Sequence, residues 1–470
     1  MIINKIKKVV EKTPNKIAYK VDNDIITYKE LWNCANETAD ILKSKVDSPV
    51  IIYGNKEINV IKSIISCLLA GRTYVPIGIC TPLPRLKKIV ELTNSKLILT
   101  DEDISIEGVE CCKLDNLKCT AKTNAKQSKE NEFVYIIFTS GSTGEPKGVP
   151  ISKENLENFV SWISNLKPLC EYKDIVVLNQ ASFSFDLSVA DLYYSLCNGH
   201  TLVALNNDIQ ENLCEMYELM KNINVAVMTP TFMKICLLNK EFNAINYPNL
   251  KCVYFCGESL ENKLVKKLFT SFPNINIINA YGPTEATSAV SAINITKQIA
   301  DSEELLPVGE MSNLATEIEI INNEIVLKGK SVFNGYLNNI KGGHYVENKI
   351  NCYKTGDLGF IKDNKLYCKG RIDNQIKYKG YRIELSDIEH NLSEIKGIEE
   401  CAVVAKLNEN NTVKTIKAFV VGKNLQIEYI RKKLENKIPG YMMPKTIKII
   451  EKLPVNQNGK LDRKALRELW

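Results

Sequence analysis

Apolar residues recur along this chain at two spacings, and the pattern changes character near residue 316. Up to that point, short β-rich apolar runs alternate with stretches of helical period. The first 50 residues predict a helix, a short hairpin around Asp22-Asn23-Asp24 and an amphipathic helix over 28–42. Thr27 can cap that last helix, with Glu30 three positions on to close a capping box. Strands are expected over 50–53, 96–100, 133–138, 175–179, 201–204, 225–228, 252–255 and 276–279. Helices are expected over 60–69, 87–92, 211–221 and 262–269, near 186–196 and Thr231, with another opening at Ser152. A proline-rich loop (Pro76, Pro82, Pro84) and a polar excursion over 101–131 interrupt the series. Strands alternating with helices predict a doubly wound α/β layer.

From Thr316 the pattern shortens to alternating strands over 316–321, 324–328 and 366–369, the mark of a small β-subdomain, abbreviated around Asn322-Asn323. Beyond it, helices over 386–395 and 426–437 with strands over 400–406 and 416–421 predict a compact α+β domain. The expected division is therefore a large N-terminal domain over 1–372, with its β-subdomain at about 300–372, and a small C-terminal domain over 373–470.

Composition narrows this only a little. The 470 residues are 44% hydrophobic and 25% charged, ordinary for a globular protein. The formal charge of +6 comes mainly from scattered lysines; it gives little ground for a nucleic-acid partner and more for an acidic protein or a polyphosphate. No apolar run approaches the length of a membrane span, and the N-terminus has no apolar core of signal-peptide length, so a cytoplasmic protein without membrane insertion is expected. The fifteen cysteines are dispersed without a Cys-x-x-Cys pair, which fits reduced thiols packed as small hydrophobes. Three scattered histidines offer no metal-ligand spacing.

The densest chemistry lies between Phe133 and Lys153. An apolar strand feeds a loop of Thr139, Ser140, Gly141, Ser142, Thr143 and Gly144, followed by Lys147 and a helix at Ser152. Glycines let a backbone approach an anion closely, amides and hydroxyls donate to its oxygens, and Lys147 adds charge. Pro146 before Lys147 and Gly148 after it exclude a Walker A loop. A Gly/Ser loop by itself is more often a surface turn. Four further stretches change that balance: Asn279-Ala280-Tyr281-Gly282-Pro283-Thr284-Glu285 at the end of a strand, where open α/β sheets bind ligands; Tyr353-Lys354-Thr355-Gly356-Asp357, read as a carboxylate just after a tight turn; Gly370-Arg371-Ile372-Asp373 with Lys379-Gly380-Tyr381; and Asn458-Gly459-Lys460-Leu461-Asp462.

In this order, and together with Ile26-Thr27-Tyr28-Lys29-Glu30-Leu31 and Ala70-Gly71-Arg72-Thr73-Tyr74-Val75-Pro76, these stretches resemble the adenylate-forming enzymes over essentially the whole chain. Within them the chain is most similar to the amino-acid adenylation branch and its stand-alone D-alanine–carrier protein ligases. The resemblance implies a two-step reaction that consumes ATP with Mg²⁺. It also implies roles: Thr139, Ser140, Ser142, Thr143 and Lys147 on the β- and γ-phosphates, with Gly141 and Gly144 shaping the loop; Thr284 at the α-phosphate; Glu285 on Mg²⁺. Asn279, Ala280, Tyr281 and Gly282 would line the adenine site, with Tyr281 stacked on the base. Asp357 would accept from the ribose hydroxyls, Arg371 would contact ribose or phosphate, and Lys460 would bridge the acid and the phosphate. Asp373 would be the hinge, and Lys379, Gly380 and Tyr381 the loop that enters for thiol transfer.

For the acid itself, the resemblance puts Asp186, Leu187, Ala190, Met228, Cys256, Gly257, Ala280, Ser288 and Ala289 around the substrate. Asp186 would pair with an ammonium, and Cys256 matches the pocket cysteine that goes with D-alanine. Ala190 and Ser288 stand where bulkier apolar residues are expected, so β-alanine, glycine or serine stays open beside D-alanine. No phosphopantetheine-attachment motif follows Lys460; the acceptor implied is a separate, acidic carrier protein. An acyl-CoA synthetase on the same scaffold and a degenerate nucleotide-binding regulator are the other readings.

Overall fold

The computed structural model describes residues 2–117, 133–141, 144–206, 212–340, 342–373, 375–378, 380–408, 413–454 and 461–469. It divides into two compact units. One comprises Met1–Gly78, Leu92–Ile137 and Gly148–Ile372; the other comprises Ile79–Glu91, Phe138–Lys147 and Asp373–Trp470.

The first unit is mixed α/β and carries three sheets. Its eight-stranded sheet runs, edge to edge, through Ser291–Asn294, Asn276–Tyr281, Cys252–Phe255, Val225–Met228, Val176–Asn179, Thr201–Ala204, Ile17–Val21 and Asp24–Thr27. The six inner strands are mutually parallel and the two edge strands are antiparallel to their neighbours. Parallel strands covered on both faces read as continuous apolar runs, and Val225–Met228 and Cys252–Phe255 are buried at every position. Helix Leu187–Asn198 is buried from Leu187 to Cys197, which explains why its sequence is apolar nearly all round.

The second sheet orders Glu110–Cys112, Leu97–Thr100, Val50–Tyr53, Tyr74–Ile77, Phe133–Thr139 and Lys147–Ser152. Three of these strands go against the sequence reading, Glu110–Cys112 because it lies in the expected polar excursion. Tyr74–Ile77 contains Pro76 and looked like the start of a loop. Lys147–Ser152 shows that the Gly/Ser loop does not run into a helix. A buried strand follows the loop, and Ser152 caps helix Lys153–Asn165 through a capping box with Asn155. The loop therefore joins two strands, and the next helix along the chain begins only after the second of them.

The third sheet is an antiparallel meander of Gly309–Glu310, Lys365–Arg371, Ile350–Lys362, Glu324–Lys328 and Glu317–Ile321, with His344–Glu347 beside Ile350–Lys362. Asn322 and Asn323, at φ 52° and 64°, make the tight turn between its last two strands. The run 353–357 lies in the middle of the thirteen-residue strand Ile350–Lys362, so Asp357 does not follow a tight turn.

In the second unit, Ile398–Leu407 and Val413–Gly422 pair antiparallel and Thr446–Ile449 joins in parallel. The hairpin Gln375–Tyr378 and Tyr381–Glu384 precedes helix Leu385–Ser393, and helices Ile427–Glu435 and Arg463–Glu468 follow in the chain. Its core gathers Ile383, Ile388, Leu392, Val403, Ala418 and Ile430.

Candidate active site

The parallel register brings the carboxyl ends of the inner strands to one rim, with Met228, Phe255 and Asn279 side by side. Asn279 is buried and its Nδ2 donates to the Pro307 carbonyl at 2.8 Å. Two residues on, Tyr281 is buried, and burial, with the nearby Asp357 charge adding to it, pushes its phenol pKa well up. The chain then doubles back: a Cβ on Gly282 would fall 2.5 Å from Ala289 Cα, so only glycine fits. Thr284–Ala286 form a single 3-10 turn that carries Glu285, and Thr287 and Ser288 follow at φ 62° and 71°. Side chains with a Cβ adopt that conformation at a cost, and such residues gather where a site over-determines the backbone.

Glu285 is fully buried. Its Oε1 accepts from Tyr336 Oη at 2.5 Å, Tyr336 Oη lies 3.2 Å from Tyr353 Oη, and its backbone carbonyl accepts from the Phe333 amide at 2.9 Å. A buried carboxylate of hard oxygen atoms is costly without a cation, and with Thr284 beside it the donor set fits Mg²⁺. Sequence reasoning missed Tyr336. Its local signal is the turn Phe333-Asn334-Gly335-Tyr336, where Gly335 sits at φ 105°.

Asp357 and Arg371 are cross-strand partners in the meander. Arg371 Nη1 donates to Asp357 Oδ1 at 3.0 Å and to the Thr355 carbonyl at 2.9 Å, while Tyr281 Oη donates to Asp357 Oδ2 at 2.7 Å. A register shift between Leu358 and Gly359 and the left-handed Gly356 (φ 72°) interrupt the strand around this carboxylate, as bulges beside sites do. Each oxygen keeps a lone pair beyond its present bond, so ribose hydroxyls have acceptors there.

Around the expected acid pocket, Asp186 is half-buried at the start of helix Leu187–Asn198. The phenols of Tyr135 and Tyr254 are buried without a hydrogen-bond partner among the described residues, and both are pushed up by burial, with the Asp186 charge adding to it. Cys256 Sγ lies 3.9 Å from the Ser288 carbonyl, and Ser288 Oγ is buried with no hydrogen-bond partner among the described residues. Leu187, Ala190, Met228 and Ala289 are buried, and Gly257 is left-handed at φ 89°. Below this rim sits a network that the sequence reading did not find. Lys56 Nζ, 3% exposed as a residue, donates to the carbonyls of Asn179, Gln180 and Leu205 at 2.8–3.0 Å. Asp191, fully buried, accepts from Asn179 Nδ2 at 2.9 Å. Asn55, Lys56 and Glu57 carry no local signal of burial, and only the long-range packing reveals the role of Lys56.

In the second unit, Ser140 and Gly141 are buried. Gly141 is sterically obligatory, since a Cβ there would meet the Glu145 carbonyl oxygen at 2.0 Å. Thr139 ends its strand and Lys147 begins the next. Gly380 is left-handed at φ 83°, and the Tyr381 ring stacks on Tyr441 at 3.8 Å. Ser142, Thr143, Lys379 and Lys460 lie outside the described residues.

Family models for the AMP-binding enzyme and for the AMP-binding enzyme C-terminal domain match residues 6–337 and 387–460. This chain belongs to the AMP-binding enzyme family. It is 36% identical to the D-alanine–D-alanyl carrier protein ligase of Listeria monocytogenes serotype 4b (strain F2365), covering 99% of this chain and 98% of that one. It is equally similar to the ligase of that name in Staphylococcus epidermidis, at 36% over 100% and 99%. Among solved structures, a Vibrio cholerae adenylation domain in complex with glycyl-adenosine-5'-phosphate superposes with a TM-score of 0.86 at 23% identity, covering 100% of this chain and 97% of that one, which shows the shared fold. Among the described residues no helix is long and apolar enough to cross a membrane.

Proposed function

We propose that this chain activates a small amino acid, D-alanine in the first place, as an aminoacyl-adenylate and passes it to the phosphopantetheine thiol of a separate carrier protein. The observation that carries this is the end-to-end likeness to ligases of that name at 36% identity. In the first step a carboxylate oxygen attacks the α-phosphorus of ATP and the bond to pyrophosphate breaks. In the second, the carrier's sulfur attacks the acyl carbon, AMP leaves, and the thiol proton passes to solvent. A cytoplasmic setting follows from the demand for ATP.

Each residue's task is the one the family resemblance implies. Asp357 and Arg371 offer the ribose an acceptor and a donor, Tyr281 covers the base, and Asn279, Ala280 and Gly282 shape the floor. Thr139, Ser140, Gly141, Ser142, Thr143, Gly144 and Lys147 receive the outer phosphates, and Thr284 the inner one. Glu285 would hold Mg²⁺, which when bound neutralises phosphate charge that would repel an incoming carboxylate. Asp186 pairs with the substrate ammonium, a partner that a fatty acid cannot provide. Lys460 aligns the two anions, a role that rests on sequence; Asp373 is the hinge, and Lys379, Gly380 and Tyr381 line the thiol's path.

Serine is the second reading for the substrate, favoured by the buried Ser288 Oγ, which has no hydrogen-bond partner among the described residues. Pyrophosphate exchange measured with D-alanine, L-alanine, β-alanine, glycine and serine tests both. Exchange driven by D-alanine supports the first reading and exchange driven by serine the second. Exchange driven only by fatty acids overturns both.

A further inference from the structure

The turn that carries Glu285 is held by one short strap, residues 331–336. The Phe333 amide donates to the Glu285 carbonyl at 2.9 Å, and Thr287 Oγ1 donates to the Ser331 carbonyl at 2.9 Å. Thr287 is left-handed at φ 62°, a conformation that has to be held in place from outside. The strap is itself anchored. Asn155 Nδ2, on helix Lys153–Asn165, donates to the carbonyls of Lys330 at 2.8 Å and Val332 at 3.0 Å.

At the end of the strap, Tyr336 reaches the Glu285 carboxylate. Its Oη donates to Oε1 at 2.5 Å and lies 3.2 Å from Tyr353 Oη. A phenol has one proton, and an ionised carboxylate can only accept. Tyr336 therefore commits its proton to Glu285, and the bond between the two phenols is one that Tyr353 donates. The relay runs in one direction, from Tyr353 through Tyr336 to Glu285. Phe333 fixes both phenols, packing edge to face with centroids 4.9 Å from Tyr336 and 5.7 Å from Tyr353, and all three rings are buried.

Such a relay suits a carboxylate that must hold a cation. Pinning one oxygen fixes the plane of the group, as hydrogen bonds to ligating carboxylates do. A phenol is also neutral, so it orients the carboxylate without cancelling its charge. A lysine or arginine in the same place would orient it too, but would compete with the metal for that charge.

We propose that Tyr336, backed by Tyr353, is a positioning residue that sets Glu285 for the Mg²⁺ of the nucleotide complex, with Phe333 holding both phenols in register. This rests on the reading of the chain as an ATP-consuming ligase with Glu285 on Mg²⁺.

The test uses the full-length enzyme and calorimetric titration with α,β-methylene-ATP, which cannot release pyrophosphate. Each titration is run with excess Mg²⁺ and again with the metal chelated. Tyr336→Phe removes only the hydroxyl. Binding with Mg²⁺ should weaken about tenfold or more, while binding without metal stays within about twofold of wild type. Tyr353→Phe should move the same way by less, because it removes only the outer bond of the relay. Unchanged binding with Mg²⁺ in Tyr336→Phe overturns the proposal. So does an equal loss with and without metal, because a merely structural tyrosine would weaken both. Should Tyr336→Phe fail to fold, Tyr353→Phe decides by the same two titrations. If Mg²⁺ does not tighten nucleotide binding to the wild-type enzyme, the ligase reading of Glu285 fails first and takes this inference with it. If it does and the variants match wild type, this inference fails alone.

Discussion

Tyr281 donates its phenol proton to Asp357 across 2.7 Å, although 76 residues separate them. Tyr281 ends a parallel strand of the eight-stranded sheet and Asp357 lies within the antiparallel meander. The bond ties the rim of one sheet to the other, and Arg371 holds the second carboxylate oxygen at 3.0 Å. The carboxylate is therefore oriented before any nucleotide arrives.

Asp357→Asn tests that orientation. The change keeps the shape, removes the charge that Arg371 meets and gives Tyr281 a weaker acceptor. A hydrogen bond to a charged group contributes about 1.5–3 kcal/mol, so kcat/KM for ATP should fall roughly 10- to 150-fold. The apparent affinity for the amino acid should change little. Steady-state exchange kinetics with ATP as the varied substrate read this directly.

Asp186→Asn separates amino acids from other acids. Losing the charged partner of a substrate ammonium costs about 2–5 kcal/mol, so kcat/KM for the amino acid should fall at least about 30-fold. The KM for ATP should stay close to wild type. An unchanged amino-acid dependence would remove Asp186 from the pocket.

Lys56→Met leaves three carbonyls without their donor and removes the positive charge that acts on buried Asp191. Removing one partner of a buried ionic network costs about 3–5 kcal/mol, so denaturant unfolding should shift to markedly lower concentration. Of the lysines, this one is predicted to matter for stability and not for chemistry.

His200 gives a pH dependence. Its ring is buried, and that burial, with Lys16 and Lys173 nearby, lowers its pKa from 6.5 to about 4. Between those values the unfolded chain binds the proton and the folded chain does not. Stability is therefore lost as pH falls from about 6.5 towards 4, by roughly 3 to 3.5 kcal/mol in all, with no further change from this group below 4. His200→Gln should flatten that limb of the stability profile, measured by denaturant unfolding across pH.

What could be read from the sequence was what is local. The Thr27–Glu30 capping box is complete in the structure, and the strands around 176–179, 201–204, 225–228 and 252–255 fall where apolar runs sit between turn signals. Strand Lys147–Ser152 was missed because Lys147, Gly148 and Pro150 look like loop, and only its place in the sheet beside Phe133–Thr139 makes it a strand. The polar run Lys354-Thr355-Gly356-Asp357 hid a long strand for the same reason.

The site was legible as separate motifs and illegible as an assembly. Asn279 to Glu285 announced itself, and so did Asp357. Nothing in their neighbourhoods says that Tyr336 reaches Glu285, that Lys56 props the strand end at Asn179, or that Asp387 meets Arg85. Those pairings depend on chain segments from dozens to hundreds of residues apart, which only the folded topology brings together.

The most direct test of the whole account is intact-mass measurement of a holo carrier protein after incubation with this enzyme, ATP, Mg²⁺ and D-alanine. The expected product is a carrier heavier by one alanyl group, released by hydroxylamine as a thioester is, with no gain when ATP is omitted. A carrier of unchanged mass across the five amino acids, alongside CoA acylated by a carboxylic acid lacking an amino group, would contradict it.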